Sequence, residues 1–221
     1  GQPVTVTVVV ADSSALVTVT LHYRPQGTLD YLPITMTTGD SHTYTATIPE
    51  AAQVDGRYVE FYIAAVDDAG MERVVPPGAP GTISSETSLP LTISYLYLTE
   101  ASPPTSSLPI YRLIMTEENQ AELEARDLFS NELLDATFVY SHEVFYNVGV
   151  RYRGEHSRSF WPRPYRIKFQ DANEFQERER INLVNDEVGR EAIAHDLFRR
   201  AGLPASDTRF VTFYINDRRV G

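Results

Sequence analysis

The chain has 221 residues, of which 42% are hydrophobic and 11% aromatic, and this composition is typical of folded domains rather than of disordered segments. It contains no cysteine, which excludes disulfide bonds and thiolate metal sites. The net charge of −11 makes the chain a poor candidate for general nucleic-acid binding. No apolar run reaches the roughly 18 residues that a membrane-spanning helix needs.

The charge is distributed unevenly along the chain. Residues up to Ser107 contain 11 acids and three Arg, a net charge of −8, whereas residues from Leu108 contain 19 acids and 16 bases, a net charge of −3. Within Arg151–Lys168 the balance reverses, because six basic residues stand against Glu155 alone. All the other basic residues of the chain are Arg, so the single lysine, Lys168, indicates a need for a compact ammonium group. The pattern favours the binding of one small anion in this segment.

The first 95 residues contain short segments rich in β-branched and aromatic residues, separated by turns rich in Gly, Pro and Asp. The predicted strands are Val4–Val10, Ala15–Tyr23, Tyr31–Met36, Thr43–Ile48, Tyr58–Val66 and Leu89–Tyr95. Their regular spacing predicts an all-β sandwich over residues 1–95. The segments VTVTLHYR, YTATIP and VEFYIAAVDDAG resemble bacterial immunoglobulin-like or fibronectin type III-like modules. That resemblance implies a spacer or an adhesion module.

Residues 96–107 separate this module from a second one. They include Ser102-Pro103-Pro104-Thr105, a composition that predicts a semi-rigid linker. The chain begins with Gly1-Gln2-Pro3 and has neither an initiator Met nor a signal peptide at this end. We therefore expect a targeting segment to have been removed.

From residue 108 the pattern becomes that of an α+β domain. Thr116 is predicted to cap a helix that runs to about Ser130, and a second, amphipathic helix is predicted over Val188–Ala201. The predicted strands are Leu108–Met115, Asp135–Tyr140, Glu143–Tyr146, Val148–Tyr152, Tyr165–Gln170, Ile181–Val184 and Phe210–Ile215.

Four segments of the second module occur in a characteristic order: VGVRYRGEHSR, RPYRIKFQ, INLVND and REAIAHDLFRRAGLPASDTRFVTFYINDRRVG. They resemble the CotH family, the spore-coat-protein-H-like domains with an atypical protein-kinase-like fold. The resemblance implies that residues 108–221 are the N-terminal portion, or N-lobe, of such a domain. It implies a secreted or cell-surface parent that is an ATP-dependent Ser/Thr protein kinase using Mg²⁺ or Mn²⁺, with a protein or another cell-surface molecule as partner.

The resemblance to a kinase N-lobe also assigns residues to nucleotide binding. The expected contacts are Lys168, Glu191, Gly154, Ser157, Arg153 and Arg166. Lys168 would hold the phosphates, and Glu191, or alternatively Glu187, would orient it from the second helix. Two other interpretations remain open: Lys168 can point to solvent from an alternating strand, and a glutamate is favoured early in any helix.

The acidic residues that the family uses later in its sequence do not occur before Gly221. We therefore expect this chain alone to be inactive, with no catalytic or metal-binding residue of its own. Phe210–Ile215 would then be an unpaired edge strand through which chains could self-associate. The alternative function is that of a non-catalytic structural or adhesion protein at the cell surface.

Overall fold

The computed structural model describes residues 1–11, 16–39, 42–80, 82–84, 90–184 and 188–221. The strands of the first module are β1 (Val4–Val9), β2 (Leu16–Pro25), β3 (Leu32–Thr35), β4 (Thr37–Thr38), β5 (Thr43–Ile48), β6 (Tyr58–Asp67), β7 (Glu72–Val75), β8 (Thr82–Ser84), β9 (Pro90–Thr92) and β10 (Tyr95–Leu98). One sheet has the order β1-β5-β4, and another has the order β10-β6-β2-β3 with β7 also on β6. β8 and β9 form a separate pair, and all these pairs are antiparallel.

The two larger sheets enclose one apolar core. Val6 and Ile48 face it from the first sheet, and Leu21, Phe61 and Ile63 face it from the second. The predicted two-sheet, β-rich architecture of this module is therefore confirmed. β10 contains residues 96–98, so the first three residues of the predicted linker belong to a strand, and Leu96 is fully buried there.

The second module combines one mixed sheet with two helices. Its elements are β11 (Ile110–Ile114), α1 (Glu117–Ala125), β12 (Leu134–Tyr140), β13 (Glu143–Tyr152), β14 (Tyr165–Lys168), β15 (Arg180–Leu183), α2 (Val188–Arg200), β16 (Thr212–Ile215) and β17 (Arg218–Arg219). The sheet has the order β15-β14-β13-β12-β11-β16-β17, in which β11 and β16 are parallel and the other pairs antiparallel.

The expectation of an unpaired last strand at Phe210–Ile215 is wrong. β16 lies between β11 and β17, with Tyr111 aligned to Phe213 on one side and Ile215 aligned to Arg218 on the other. The turn at Asn216 reverses the chain, and β17 then covers the edge that the sequence appeared to leave open. Among the described strands of this sheet, β15 and β17 are the ones at its edges.

This sheet curls around an aromatic core. Phe138, Phe169 and Phe175 are almost completely buried, with ring centroids 5.1–5.4 Å apart. Tyr165 of β14 lies 5.4 Å from Phe213 of β16, although three strands separate β14 from β16 in the sheet. The curl leaves an open end near these two rings, and the candidate site lies there.

The two modules share buried contacts. Tyr58, Leu96 and Ile114 form a small apolar cluster that combines side chains of the sandwich with one of β11. The Tyr58 hydroxyl accepts a hydrogen bond from the Glu117 N–H at 2.9 Å, at the beginning of α1. Asn147 of β13 donates to the Ser94 carbonyl at 3.2 Å. The sandwich therefore packs directly against the sheet of the second module.

Candidate functional site

The turn that follows β13 is shaped by a glycine. The Arg153 N–H donates to the Pro164 carbonyl at 3.0 Å, which extends the pairing of β13 and β14 beyond the strand ends. Gly154 then takes a φ of 87°, a left-handed conformation that favours glycine. A Cβ atom at this position would lie 2.0 Å from Ser157 Oγ. The Ser157 hydroxyl therefore lies directly against the backbone of Gly154, in the space that a larger residue would fill with its Cβ.

The guanidinium group of Arg158 holds this turn in place through hydrogen bonds. Its Nε donates to the Gly154 carbonyl at 2.6 Å, and its Nη1 donates to the carbonyls of Leu128 and Ser130 at 3.0 Å each. Its Nη2 donates to Asn131 Oδ1 at 2.8 Å. The side chain is 5% exposed. Arg158 therefore ties the turn to the segment between α1 and β12 and does not contribute its charge to an open surface.

Helix α2 carries Glu191 to the opposite side of this turn. A small cavity of about 420 Å³ lies between them, lined by Arg153, Ser157, Pro164, Val184, Arg190, Glu191 and Ala194. Three of the six residues expected to contact nucleotide, Arg153, Ser157 and Glu191, thus line one cavity. The fourth, Gly154, forms the turn at its border.

A larger cavity of about 640 Å³ continues from the small one and shares Arg153, Val184 and Glu191 with it. Tyr111, Tyr165 and Phe213 line it at the open end of the curled sheet. Its lining also includes His195 of α2 and five arginines, Arg153, Arg163, Arg178, Arg180 and Arg209. The combination of aromatic rings and guanidinium groups is suited to an anionic ligand with a planar part.

The electrostatics of the turn also favour an anion. The Arg153 Nε is buried and has no hydrogen-bond partner. The pKa of Arg166 is lowered by burial and then by the positive charges of Arg180, Arg153 and Arg158. A buried guanidinium N–H without an acceptor is costly, so an anion that accepted from it would be bound favourably.

Lys168 and Arg166, the other two residues expected to contact the nucleotide, line neither cavity. Tyr165 and Ile167 of β14 are buried in the aromatic core, so the alternating side chains of Arg166 and Lys168 are on the outer face of the sheet. Lys168 is exposed and is aligned with Gly149 and Arg180.

Glu191 lines both cavities, neither of which Lys168 lines, and its carboxylate approaches His195 Nε2 at 3.9 Å. The structure therefore does not bring Lys168 and Glu191 together. Glu187, the alternative partner of Lys168, lies outside the described residues.

Comparison with known proteins locates a family similarity in this region. Residues 150–221 match the family model described as CotH kinase protein. The resemblance that the motifs indicated is therefore confirmed for this part of the chain. The match begins within β13 and contains α2 and the turn at Gly154, whereas residues 108–149 of the second module lie outside it. No curated protein matches the chain.

The CotH-matching segment also supplies cavity residues that sequence reasoning missed. Arg190 of α2 lines the small cavity. His195 lines the large one, where its Nδ1 accepts a hydrogen bond from the Ser206 N–H at 3.2 Å. Helical spacing alone carried no signal for either, because the orientation of α2 relative to the sheet depends on tertiary packing.

A nucleotide and a metal ion fit this segment differently. The unpartnered Arg153 Nε and the Ser157 hydroxyl, which belong to residues of the small cavity, are suited to phosphate oxygens. No three His, Asp or Glu side chains converge as metal ligands in the part of the chain that the structure describes. In that same part, no helix has the length and apolar character needed to cross a membrane.

Proposed function

We propose that the second module is the nucleotide-binding part of a CotH-type protein kinase and that the small cavity holds the nucleotide phosphates. The observation that carries this proposal is the convergence of Arg153, Ser157 and Glu191 on one cavity. The family match over residues 150–221 supports it. The parent protein is proposed to act outside the cell or on its surface, with the sandwich as an immunoglobulin-like or fibronectin type III-like spacer.

Each residue has a distinct role in this proposal. The guanidinium of Arg153 donates to phosphate oxygens, and the Ser157 hydroxyl donates a further hydrogen bond. Gly154 allows the left-handed turn that brings the Ser157 hydroxyl against the backbone. Glu191 accepts from ligand hydroxyl groups on the α2 side and orients the ligand in the cavity. A bound ATP would supply the phosphoryl group for transfer, and we propose that this chain alone binds it without transferring it.

No residue set is proposed here for Mg²⁺ or Mn²⁺. The described residues contain no convergent group of carboxylate or imidazole ligands, so no step is assigned to a metal ion. Binding therefore has to be measured first without metal and then with Mg²⁺ or Mn²⁺ added.

Titration with a fluorescent ATP analogue tests the proposal. Arg153→Ala removes the main phosphate donor and is expected to weaken binding by roughly tenfold or more, the usual effect of losing a charge-assisted hydrogen bond. Arg200→Ala is the matched control, because Arg200 is exposed, lies on α2 and pairs with Asp196 at 2.7 Å. Equal affinities of the Arg153 and Arg200 variants would contradict the assigned site. Lys168→Ala tests the family-based assignment, and an unchanged affinity would remove Lys168 from the nucleotide site.

A second candidate function is that of a non-catalytic structural or adhesion protein. The specific observation in its favour is that Lys168, which a kinase N-lobe would pair with Glu191, is exposed and lines neither of the cavities that Glu191 lines. It predicts no saturable ATP binding by calorimetry, with or without divalent cations. Saturable binding that depends on Arg153 would exclude it as the full description of this module.

A further inference from the structure

The outer face of β13, β14 and β15 carries a group of cations that do not line the small cavity proposed for the nucleotide phosphates. We call Arg151, Arg166, Lys168 and Arg180 the basic face. Arg151 is aligned directly with Arg166, and Lys168 is aligned directly with Arg180. Like charges directly opposite each other on neighbouring strands destabilise a sheet. Two such pairs side by side therefore call for a compensating negative charge.

That compensation does not come from the described part of the chain, in which no carboxylate forms an ion pair with any of these four cations. Burial and the charges of Arg166, Arg158, Arg126 and Arg153 lower the pKa of Arg151. The lowered pKa of Arg151 and the strand register both indicate a positive surface without a neighbouring negative charge.

Two of the side chains are held in defined positions. The Arg166 Nε donates to Asn182 Oδ1 at 3.1 Å, and the Arg151 Nη1 donates to the Tyr152 carbonyl at 2.8 Å. Each bond uses one donor of a guanidinium and leaves other N–H groups available. Less side-chain entropy is then lost when a partner binds.

The basic face borders a free sheet edge. β15 is the first strand in the order β15-β14-β13-β12-β11-β16-β17, and β14 is its neighbour. No backbone–backbone hydrogen bond joins the outer side of Arg180–Leu183 to another described residue. Such an edge can accept an extended peptide as an added strand.

We propose that β15 and the basic face bind an extended acidic segment of a partner protein, paired to β15 through its backbone and presenting carboxylates at alternate positions. On one face of a strand, alternate residues lie about 6.6 Å apart. Arg166 and Lys168 alternate in this way on β14 and so match carboxylates with the same spacing. This proposal goes beyond the nucleotide site and does not depend on it, because none of the four cations lines the small cavity and only Arg180 lines the large one.

A peptide explains these features better than a nucleic acid does. The chain has a net charge of −11, which repels a long polyanion at a distance, whereas four clustered cations are enough for a short acidic segment. A strand partner also satisfies the backbone of the β15 edge, and a nucleic acid does not.

The experiment uses the whole chain and fluorescein-labelled peptides in an anisotropy titration. The test peptide alternates Glu with Val, and a peptide of identical composition has its Glu residues in one block. We expect the alternating peptide to bind more tightly by about fivefold or more, and its affinity to fall as salt is raised. Equal binding of the two peptides would overturn strand addition.

The double variant Arg151→Gln/Lys168→Gln is expected to weaken binding of the alternating peptide by about tenfold. The control variant Arg73→Gln removes an exposed cation from β7 of the sandwich and is expected to bind like the unmodified chain. Far-UV circular dichroism checks that the double variant is folded, and Lys168→Arg is expected to retain most of the affinity. Peptide binding that survives in the folded double variant would overturn the proposal.

Two further measurements test whether a nucleotide or a second copy of the chain, and not a peptide, binds to the basic face. An ATP analogue that competes with the peptide, with both losing affinity in the double variant, would make this face a nucleotide site and overturn the proposal. Sedimentation that shows self-association of the unmodified chain, abolished in the double variant, would identify a second copy as the occupant and likewise overturn it. Loss of peptide binding with ATP-analogue affinity retained supports the peptide surface whether or not the nucleotide site is correct.

Discussion

At the scale of single residues, Gly154 determines the shape of the candidate phosphate turn. Its φ of 87° is one that an L-amino acid side chain disfavours, and the added Cβ would crowd Ser157 Oγ. The Ser157 hydroxyl can rotate away, but the backbone strain remains. An added methyl group is therefore expected to act mainly by straining the backbone of the turn that Arg158 holds.

Gly154→Ala is accordingly expected to reduce the free energy of unfolding by about 1–2 kcal/mol, the cost of a left-handed conformation for alanine. Gly189→Ala is the matched control, because no atom lies within 4 Å of its added Cβ and the residue is in α2. In a helix, alanine is favoured over glycine by up to about 1 kcal/mol, so this variant is expected to gain stability. Urea denaturation measures both, and a Gly154 variant as stable as the unmodified chain would contradict the account of the turn.

At the scale of elements, the beginning of α1 shows how a capping residue also connects to the rest of the fold. Thr116 Oγ1 accepts a hydrogen bond from the Asn119 N–H at 3.1 Å, as predicted for an N-cap. The Asn119 side chain in turn donates to the Asp135 carbonyl at 2.9 Å. The cap therefore orders the helix end that contacts both β12 and the sandwich.

Thr116→Ala is expected to lower the free energy of unfolding by about 1 kcal/mol or somewhat more, because the Asn119 N–H loses its acceptor in a buried position. Thr116→Ser keeps the hydroxyl and is expected to recover most of that loss. Thermal unfolding monitored by circular dichroism distinguishes them. If the Ser and Ala variants were equally destabilised, the missing methyl group and not the cap would be responsible.

The sequence predicted these elements better than it predicted how they assemble. The break expected between Glu143–Tyr146 and Val148–Tyr152 has a real basis, since Asn147 takes a φ of 52°, yet the strand continues through it as β13. Helix α1 ends at Ala125 and not near Ser130, because Arg126 takes an extended conformation with φ −70° and ψ 170°. Boundaries of this kind depend on tertiary contacts as well as on local preference.

The same limit applies to the candidate site. The Gly154 turn and Arg153 could be identified from the local motif, since they follow each other in the chain. For Lys168, strand alternation favoured an outward side chain, whereas the resemblance to a kinase N-lobe assigned it to the phosphates. What the sequence could not provide was the side of the sheet on which α2 lies, and with it the position of Glu191.

At the scale of the whole molecule, a polar network joins the two modules. Asn147 Nδ2 donates to the Ser94 carbonyl at 3.2 Å and to Asp135 Oδ1 at 3.0 Å. The Ser94 hydroxyl donates to Glu60 Oε2 at 3.3 Å, and Glu60 pairs with Arg24 at 2.8 Å inside the sandwich. These groups are largely buried, so the docking of the modules depends on charges that have little access to water.

Asp135 makes this junction sensitive to pH. Burial raises the pKa of its carboxyl to about 7, while the hydrogen bond from Asn147 acts in the opposite direction. The ordinary value is 3.8. Between roughly pH 4 and 7 the folded chain therefore holds a proton that the unfolded chain has released. The stability contributed by Asp135 is complete below this window and is lost as the pH rises through it.

Asp135→Asn is expected to remove this dependence, because an amide keeps the oxygen that accepts from Asn147 and carries no charge. The variant should gain stability relative to the unmodified chain as the pH is raised from 5 to 8, by up to about 3 kcal/mol, because roughly two pH units of the shift lie above pH 5. Urea unfolding at each pH measures the difference. The control is Asp68→Asn, at an exposed turn position of the sandwich, which should leave the pH profile unchanged. Parallel profiles for Asp135→Asn and the unmodified chain would mean that the buried carboxyl does not govern the stability of the junction.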